Sequence, residues 1–246
     1  MLQNKIALIT GASHPKDIGT AICRRLALKG INIFFTHWNS DPEKLQQEIL
    51  NMGVQCASMN IDLSNADAAA KIMDEVSTKL GFPSILVNNA AYSTSDGYSA
   101  FNAESLDAHY AVNMRSTFLL CVEFARRFEK ADLPSGRIIN MASGQDIGPM
   151  PGELAYAATK GAISAFTKSL SPELAPLGIT VNAVNPGPTD STWMNDDIRE
   201  HLLPKFPMGR IGKPEDAAKL IAFLVSDEAD WITGQVMNSE GGFIRS

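Results

Sequence analysis

Lys5-Ile-Ala-Leu-Ile-Thr10, then Gly11-Ala-Ser-His-Pro-Lys-Asp17, then Ile18-Gly-Thr-Ala-Ile-Cys-Arg-Arg-Leu-Ala-Leu28: these three consecutive segments decide the fold. The first is a short apolar run closed by Gly11, the pattern of a strand buried on both faces. The second is polar and carries turn residues. In the third, apolar side chains recur at 18, 21, 22 and 26, a helical period, and Gly30 stops it. Strand, glycine-bearing loop and helix make a βα unit. Its helix N-terminus turns unpaired N–H groups and partial positive charge toward the loop.

The same alternation runs outward along the chain. Ile31–Thr36 predicts a second strand. Asp41-Pro-Glu opens a helix with an N-cap and proline at its first position, ended by Gly53. Val54–Met59, Ser84–Asn88, Gly136–Met141 and Ile179–Val184 predict further strands, and Val236 and Met237 a last short one. Helices are predicted over Ala66–Leu80, Glu104–Lys130 in one piece or two, Leu154–Ala175, and Pro214 to about Val225. Pro172 removes one backbone bond, to the Lys168 carbonyl, so the helix from Leu154 is expected to break and restart there. Strands alternating with helices imply an α/β fold, a doubly wound parallel sheet of the Rossmann type with helices on both faces. No linker, repeat or charge run divides it, so residues 1–246 are read as one domain. Ligands of such sheets bind beyond the carboxyl ends of the strands, and a dinucleotide diphosphate is expected at the first βα loop around Gly11, Ser13, Ile18 and Gly19.

Composition narrows the function. The formal net charge is −6, which argues against nucleic acid and anionic membrane surfaces as partners. Cys23, Cys56 and Cys121 match neither a disulfide framework nor a metal knuckle, and the four histidines are scattered. They are read as core thiols in a reducing compartment, with no metal site. No stretch approaches the roughly 18 apolar residues of a membrane span, so a cytoplasmic location is expected.

Tyr156-Ala-Ala-Thr-Lys160 sets a phenol and an ammonium one helical turn apart on one face. Positive charge beside a phenol favours its ionised form, so Lys160 is expected to lower the proton affinity of Tyr156 and fit it for proton transfer. Alone, the pair also suits an ordinary solvated helix face. It stands, however, with Thr10-Gly11…Ile18-Gly19, Asp62-Leu63, Asn88-Asn-Ala-Ala91, Asn113, Ser143, Asn185-Pro-Gly187 and Thr233-Gly234. In this order, at strand ends, along almost the whole chain, these motifs resemble those of the short-chain dehydrogenase/reductase family. The resemblance implies a seven-stranded parallel sheet and hydride transfer between a nicotinamide cofactor and a carbonyl or secondary alcohol. It also implies assembly as a homotetramer or homodimer.

The resemblance further assigns roles. Tyr156 would be the general acid in reduction. Lys160 would hold down its proton affinity and bond the nicotinamide ribose. Ser143 would donate a hydrogen bond to the same substrate oxygen, and Asn113 would hold a water leading from Lys160 to solvent. Asp62 and Leu63 would lie by the adenine and Asn89-Ala90 by its ribose, while Pro186-Gly187 and the Thr189 backbone would hold the carboxamide.

Departures from the family pattern carry information too. The glycine loop is two residues longer than usual, and counting back from Gly19 puts Asp17 where a glycine is customary; its carboxylate is expected to point away from a diphosphate. His14 and Lys16 are candidates for supplying positive charge. After the second strand, Phe35-Thr-His-Trp-Asn-Ser40 has no acid to repel a 2′-phosphate, and His37, Asn39 and Ser40 could bond one. NADP(H) is the favoured cofactor and NAD(H) the alternative.

Tyr156–Ile163 and Gly178–Asn182 are also similar to 3-oxoacyl-acyl-carrier-protein reductases. Pro172 and Leu177 stand where those enzymes carry carrier-docking basic residues, and Arg126 and Arg127 could supply only half of the patch. A free small carbonyl or alcohol is therefore the first substrate class, and acyl carrier protein a secondary partner. The segment 189–208, rich in Trp, Met, Leu, Phe and Pro, would cover the substrate with Gln145 and Met150. A nucleotide-sensing protein without turnover, or a purely structural oligomer, are the readings from other classes.

Overall fold

A computed structural model describes residues 5–131 and 133–245. Seven strands form one parallel sheet in the order β3-β2-β1-β4-β5-β6-β7. They are β1 (Ile6–Ile9), β2 (Asn32–His37), β3 (Cys56–Asn60), β4 (Ile85–Asn88), β5 (Gly136–Met141), β6 (Ile179–Asn185) and β7 (Val236–Asn238). The helices between them are α1 (Ile18–Ala27), α2 (Glu43–Leu50), α3 (Ala68–Lys79), α4 (Ala103–His109), α5 (Ser116–Phe128), α6 (Leu154–Leu174), α7 (Asp196–Leu202) and α8 (Pro214–Leu224). The doubly wound α/β sheet expected from the alternation is thus present.

Neighbouring side chains on each strand pack into opposite layers. Ala7, Ile9 and Phe35 join α1 and α8 on one face, while Leu8 and Phe34 join α3, α5 and α6 on the other. Phe34 and Phe35 are fully buried, and truncating either to Ala would cost about 3–5 kcal/mol. Because both faces are covered, strand residues read as continuous apolar runs. All three cysteines are buried. No helix among the described residues is long and apolar enough to cross a membrane.

Strand order reverses between β1 and β4, which opens a crevice at their carboxyl ends. Thr10 and Asn89 stitch that point together. The Thr10 hydroxyl accepts from the backbone N–H of Asn89 and Ala90 at 3.0 and 3.1 Å, and the Asn89 amide donates to the Thr10 and Gly11 carbonyls at 3.0 and 2.9 Å.

Two local outcomes differ from expectation. Helix α6 runs through Pro172 without breaking. The Lys168 carbonyl, deprived of its usual partner, instead accepts from the Ser171 hydroxyl at 3.1 Å. The span predicted over Glu104–Lys130 is continuous but changes pitch: Tyr110–Arg115 is a π-helical turn between α4 and α5. One extra residue in that turn is compatible with the same apolar period on either side, so periodicity does not register it.

Candidate active site

The glycine loop takes a specific path. Gly11 and Ala12 donate to the Thr36 carbonyl at 3.0 and 2.9 Å, which ties the loop to the end of β2. The two additional residues form a β-turn, His14-Pro15-Lys16-Asp17, closed by Asp17 N–H to the His14 carbonyl at 3.0 Å, with proline at the position that favours its fixed φ. Gly11 has φ +75°, and a Cβ there would lie 2.7 Å from the Ala90 Cα. A Cβ on Gly19 would strike the Gly11 carbonyl and come within 2.7 Å of the Asn89 amide nitrogen. Both positions therefore require glycine so that α1 can start close under the loop.

Beyond these strand ends lies a cleft of about 710 Å³. Gly11, Ser13, Ile18, His37, Asp62, Leu63, Asn89 and Ala90 line it, eight of the residues singled out by sequence. Gly19 acts from behind, through packing. Pro186, Gly187, Thr189 and the four proposed catalytic residues stand outside the lining. Thr189 is buried and its hydroxyl donates to the Gly187 carbonyl at 3.1 Å. His14 and Lys16 are exposed on the turn and do not face the cleft.

Asp17 corrects an expectation. The residue lines the cleft at the start of α1 instead of standing clear of it, and its carboxylate accepts from the Thr192 hydroxyl at 2.8 Å. The longer loop swings Asp17 toward the segment after β6, and the partner 175 residues away holds it there.

A second group of polar side chains sits where β5, α5 and α6 meet. Ser143 follows β5 in extended backbone; its hydroxyl lies 4.0 Å from the Met150 sulfur and counters the effect of burial on the nearby Tyr156 phenol. Lys160 is buried; its Nζ lies 5.4 Å from the centre of the Tyr156 ring and donates to the Met141 carbonyl at 2.7 Å. Asn113 is completely buried in the π turn. Its amide accepts from Tyr92 N–H at 2.7 Å and donates to the Tyr92 carbonyl at 2.8 Å and the Thr159 hydroxyl at 3.2 Å. Asn113 thus joins the loop after β4 to α6 one residue before Lys160.

Charge in this group runs against the simple expectation for the pair. Burial pushes the Tyr156 phenol up to about 12, Ser143 opposes that, and Glu153 adds to it. Burial also brings the Lys160 ammonium down to about 8. Lys160 therefore loses its charge at a lower pH than the phenol does, and for Tyr156 burial is the largest influence.

A family model described as enoyl-(acyl carrier protein) reductase matches residues 11–244. The uncharacterized oxidoreductase YjdA of Bacillus subtilis (strain 168) is 74% identical over 246 residues, covering 99% of this chain and 98% of that protein. The chain belongs to the short-chain dehydrogenase/reductase family. Its members are oxidoreductases that use NAD(P)(H), and the chain is one of these enzymes. The 3-oxoacyl-[acyl-carrier-protein] reductase FabG of Staphylococcus aureus (strain N315) is 34% identical over 247 residues, covering 98% and 99% of the two chains. Among solved structures, a double mutant of a Serratia marcescens short-chain dehydrogenase/reductase superposes with a TM-score of 0.90 at 33% identity, covering 98% of each chain. The acetoin dehydrogenase YohF of Salmonella typhimurium gives 0.86 at 31%, covering 97% and 95%.

Tyr92, which lines the cleft, is bonded to Asn113, so the cleft and the group around Tyr156 meet there. Several lining residues were not signalled by motif. Trp38 and Trp193 are half-exposed at the cleft, with Thr36, Ser64, Tyr92, Val112 and Ser191 nearby. Trp38 follows His37 at the end of β2, and Trp193 belongs to the segment 189–208 expected to cover the substrate. His37 is buried at the end of β2, its Nδ1 3.4 Å from the Ser40 hydroxyl, and burial lowers its proton affinity. It therefore faces the cleft mainly as a neutral hydrogen-bonding group. Segment 189–208 contains α7, capped by the Asn195 side chain on Ile198 N–H at 2.9 Å.

Proposed function

We propose that this enzyme is an NADP(H)-dependent carbonyl reductase or alcohol dehydrogenase acting on a small, free substrate, with Tyr156 as general acid and base. The observation that carries the reading is buried Lys160 with its Nζ 5.4 Å from the Tyr156 ring centre and Ser143 close to the phenol, beside a cleft of dinucleotide size. The residues fit such a cofactor: Gly11 and Gly19 bring backbone and the α1 N-terminus close, and Asp62, Leu63, Asn89 and Ala90 line the far end. Asp17, at the start of α1, is a poor neighbour for a diphosphate.

When bound, the nicotinamide supplies or takes up the hydride. In reduction, Tyr156, protonated at neutral pH, gives its proton to the substrate oxygen. Ser143 donates to that oxygen as negative charge develops. Lys160, charged below about pH 8, favours the tyrosinate left behind and is the group from which Tyr156 regains a proton. Asn113 keeps α6 and the loop after β4 in register, a positioning task. Both amide hydrogens of its side chain are used by protein groups, so its proposed water would be held by an acceptor there or by backbone. Pro186, Gly187 and Thr189 would shape the carboxamide end.

The preference for NADP(H) rests on the lack of a carboxylate from Phe35 to Ser40. The likeness to an acetoin dehydrogenase supports a small carbonyl. Reduction of a carrier-bound 3-oxoacyl group is the second reading, supported by the likeness to FabG. It is weakened because Arg127 is held by Glu123 and Asp74, both at 2.6 Å. Exposed Leu106, Tyr110 and Leu119 on α4, the π turn and α5 offer apolar surface for the expected dimer or tetramer. The test is turnover of a panel of ketones, hydroxyketones and an acyl-thioester mimic with each nicotinamide cofactor. A panel with binding but no turnover would favour a sensor instead.

A further inference from the structure

The end of the chain crosses from the covering segment to the loop that carries Ser143. Ile244 N–H donates to the Lys205 carbonyl at 2.9 Å, and the Phe243 ring packs 4.9 Å from that of Phe206. Arg245 then reaches the loop after β5. Its guanidinium lies against Gly144 and its stem against Gly148: a Cβ on these glycines would fall 2.5 Å from Nη2 and 2.9 Å from Cδ. Gly144 directly follows Ser143, so the guanidinium abuts the residue next to the proposed oxyanion donor.

The same guanidinium pairs with Glu240 through both nitrogens, Nη1 to Oε2 at 3.0 Å and Nη2 to Oε1 in close contact. The Glu240 carboxylate is almost buried and also accepts from the Asn185 amide at 2.8 Å. Asn185 in turn accepts from Gly187 N–H at 3.0 Å, and Glu240 Cγ would lie 2.8 Å from a Cβ on Gly187. One connected run of contacts therefore joins the Ser143 loop, through Arg245, Glu240 and Asn185, to the Pro186-Gly187 turn. The two ends are the places proposed to hold the substrate oxygen and the carboxamide.

We propose that Arg245 is a positioning residue for hydride transfer: with Glu240 it fixes the Ser143 loop against the Gly187 turn. The forked guanidinium suits this task because it bonds the carboxylate at two points while presenting a flat face to Gly144. Without a side chain at 144 or 148, that close approach is open. The inference rests on the proposed roles of Ser143 and Tyr156.

The test has two arms. In kinetics, Arg245→Ala should lower kcat roughly 10- to 100-fold while the NADPH dissociation constant changes little, since its diphosphate and adenosine neighbours are remote. Arg245→Lys should recover part of kcat. Gly144→Ala, which would displace the guanidinium, should be costly in the wild type and nearly free in the Arg245→Ala background. In the second arm, hydrogen–deuterium exchange should rise over residues 142–150 in Arg245→Ala and not across the rest of the sheet. Full kcat in that variant, additive effects of the two substitutions, or a uniform rise in exchange would overturn the proposal. Wild-type protein that turns over no carbonyl would instead defeat the functional reading, and the exchange arm would still decide the strap.

Discussion

Lys160 lies one helical turn beyond Tyr156, its Nζ 5.4 Å from the ring centre, yet its ammonium bonds the Met141 carbonyl and not the phenol. The two groups are close in space and share no direct bond. Tyr156→Phe keeps the ring and removes only the hydroxyl. Turnover should fall at least about 100-fold while NADPH binding, followed by fluorescence, is retained. Lys160→Ala should impair both.

Lys160 also makes a pH prediction. Its folded value of about 8 lies below the ordinary 10.5, so between these the unfolded chain binds more protons than the folded one. Stability contributed by this group therefore rises with pH through that window. Lys160→Met should be inactive yet melt higher than wild type at pH 7, the gap closing as pH rises from 8 toward 10. A gap that widens would mean the ammonium is well solvated. Reductive turnover should decline above about pH 8 as Lys160 loses its charge.

The Asp17–Thr192 bond links the cofactor loop to the covering segment at 2.8 Å. Asp17→Asn keeps an acceptor for Thr192 and removes the negative charge at the diphosphate end. NADPH should bind roughly fivefold more tightly, about 1 kcal/mol. Weaker binding in a titration would show that the carboxylate serves the cofactor.

Cofactor choice can be pushed the other way at His37. His37→Asp puts a carboxylate at the end of β2, where it would meet a 2′-phosphate and bond a ribose 2′-hydroxyl. The ratio of NADPH to NADH dissociation constants should move toward NADH by at least about tenfold, or about 1.4 kcal/mol. An unchanged ratio would place the 2′ position elsewhere.

The sheet was legible because apolar runs closed by glycine alternate with helical periods, and Gly11 and Gly30 do adopt the positive φ that such stops use. The glycine requirement at 19 was legible as well, though its cause is the Gly11 carbonyl and Asn89 rather than a ligand alone. What sequence could not show were contacts set by tertiary packing. Asp17 meets Thr192, Arg245 meets Gly144, and Ser171 takes over the carbonyl freed by Pro172; of these only the last lies within one turn of helix. Helix α7 escaped because seven residues carry little period, although Asn195 followed by two aspartates is a cap signal. Spacing shows that Lys160 and Tyr156 are near one another but not that both are buried, and burial is the largest influence on each.

The most direct measurement of the central claim is turnover of a carbonyl panel by wild type and Tyr156→Phe, followed by nicotinamide absorbance with NADPH and NADH. The account predicts wild-type reduction of at least one small ketone, faster with NADPH, and loss of that activity in Tyr156→Phe with cofactor binding intact. Undiminished turnover in Tyr156→Phe would contradict it.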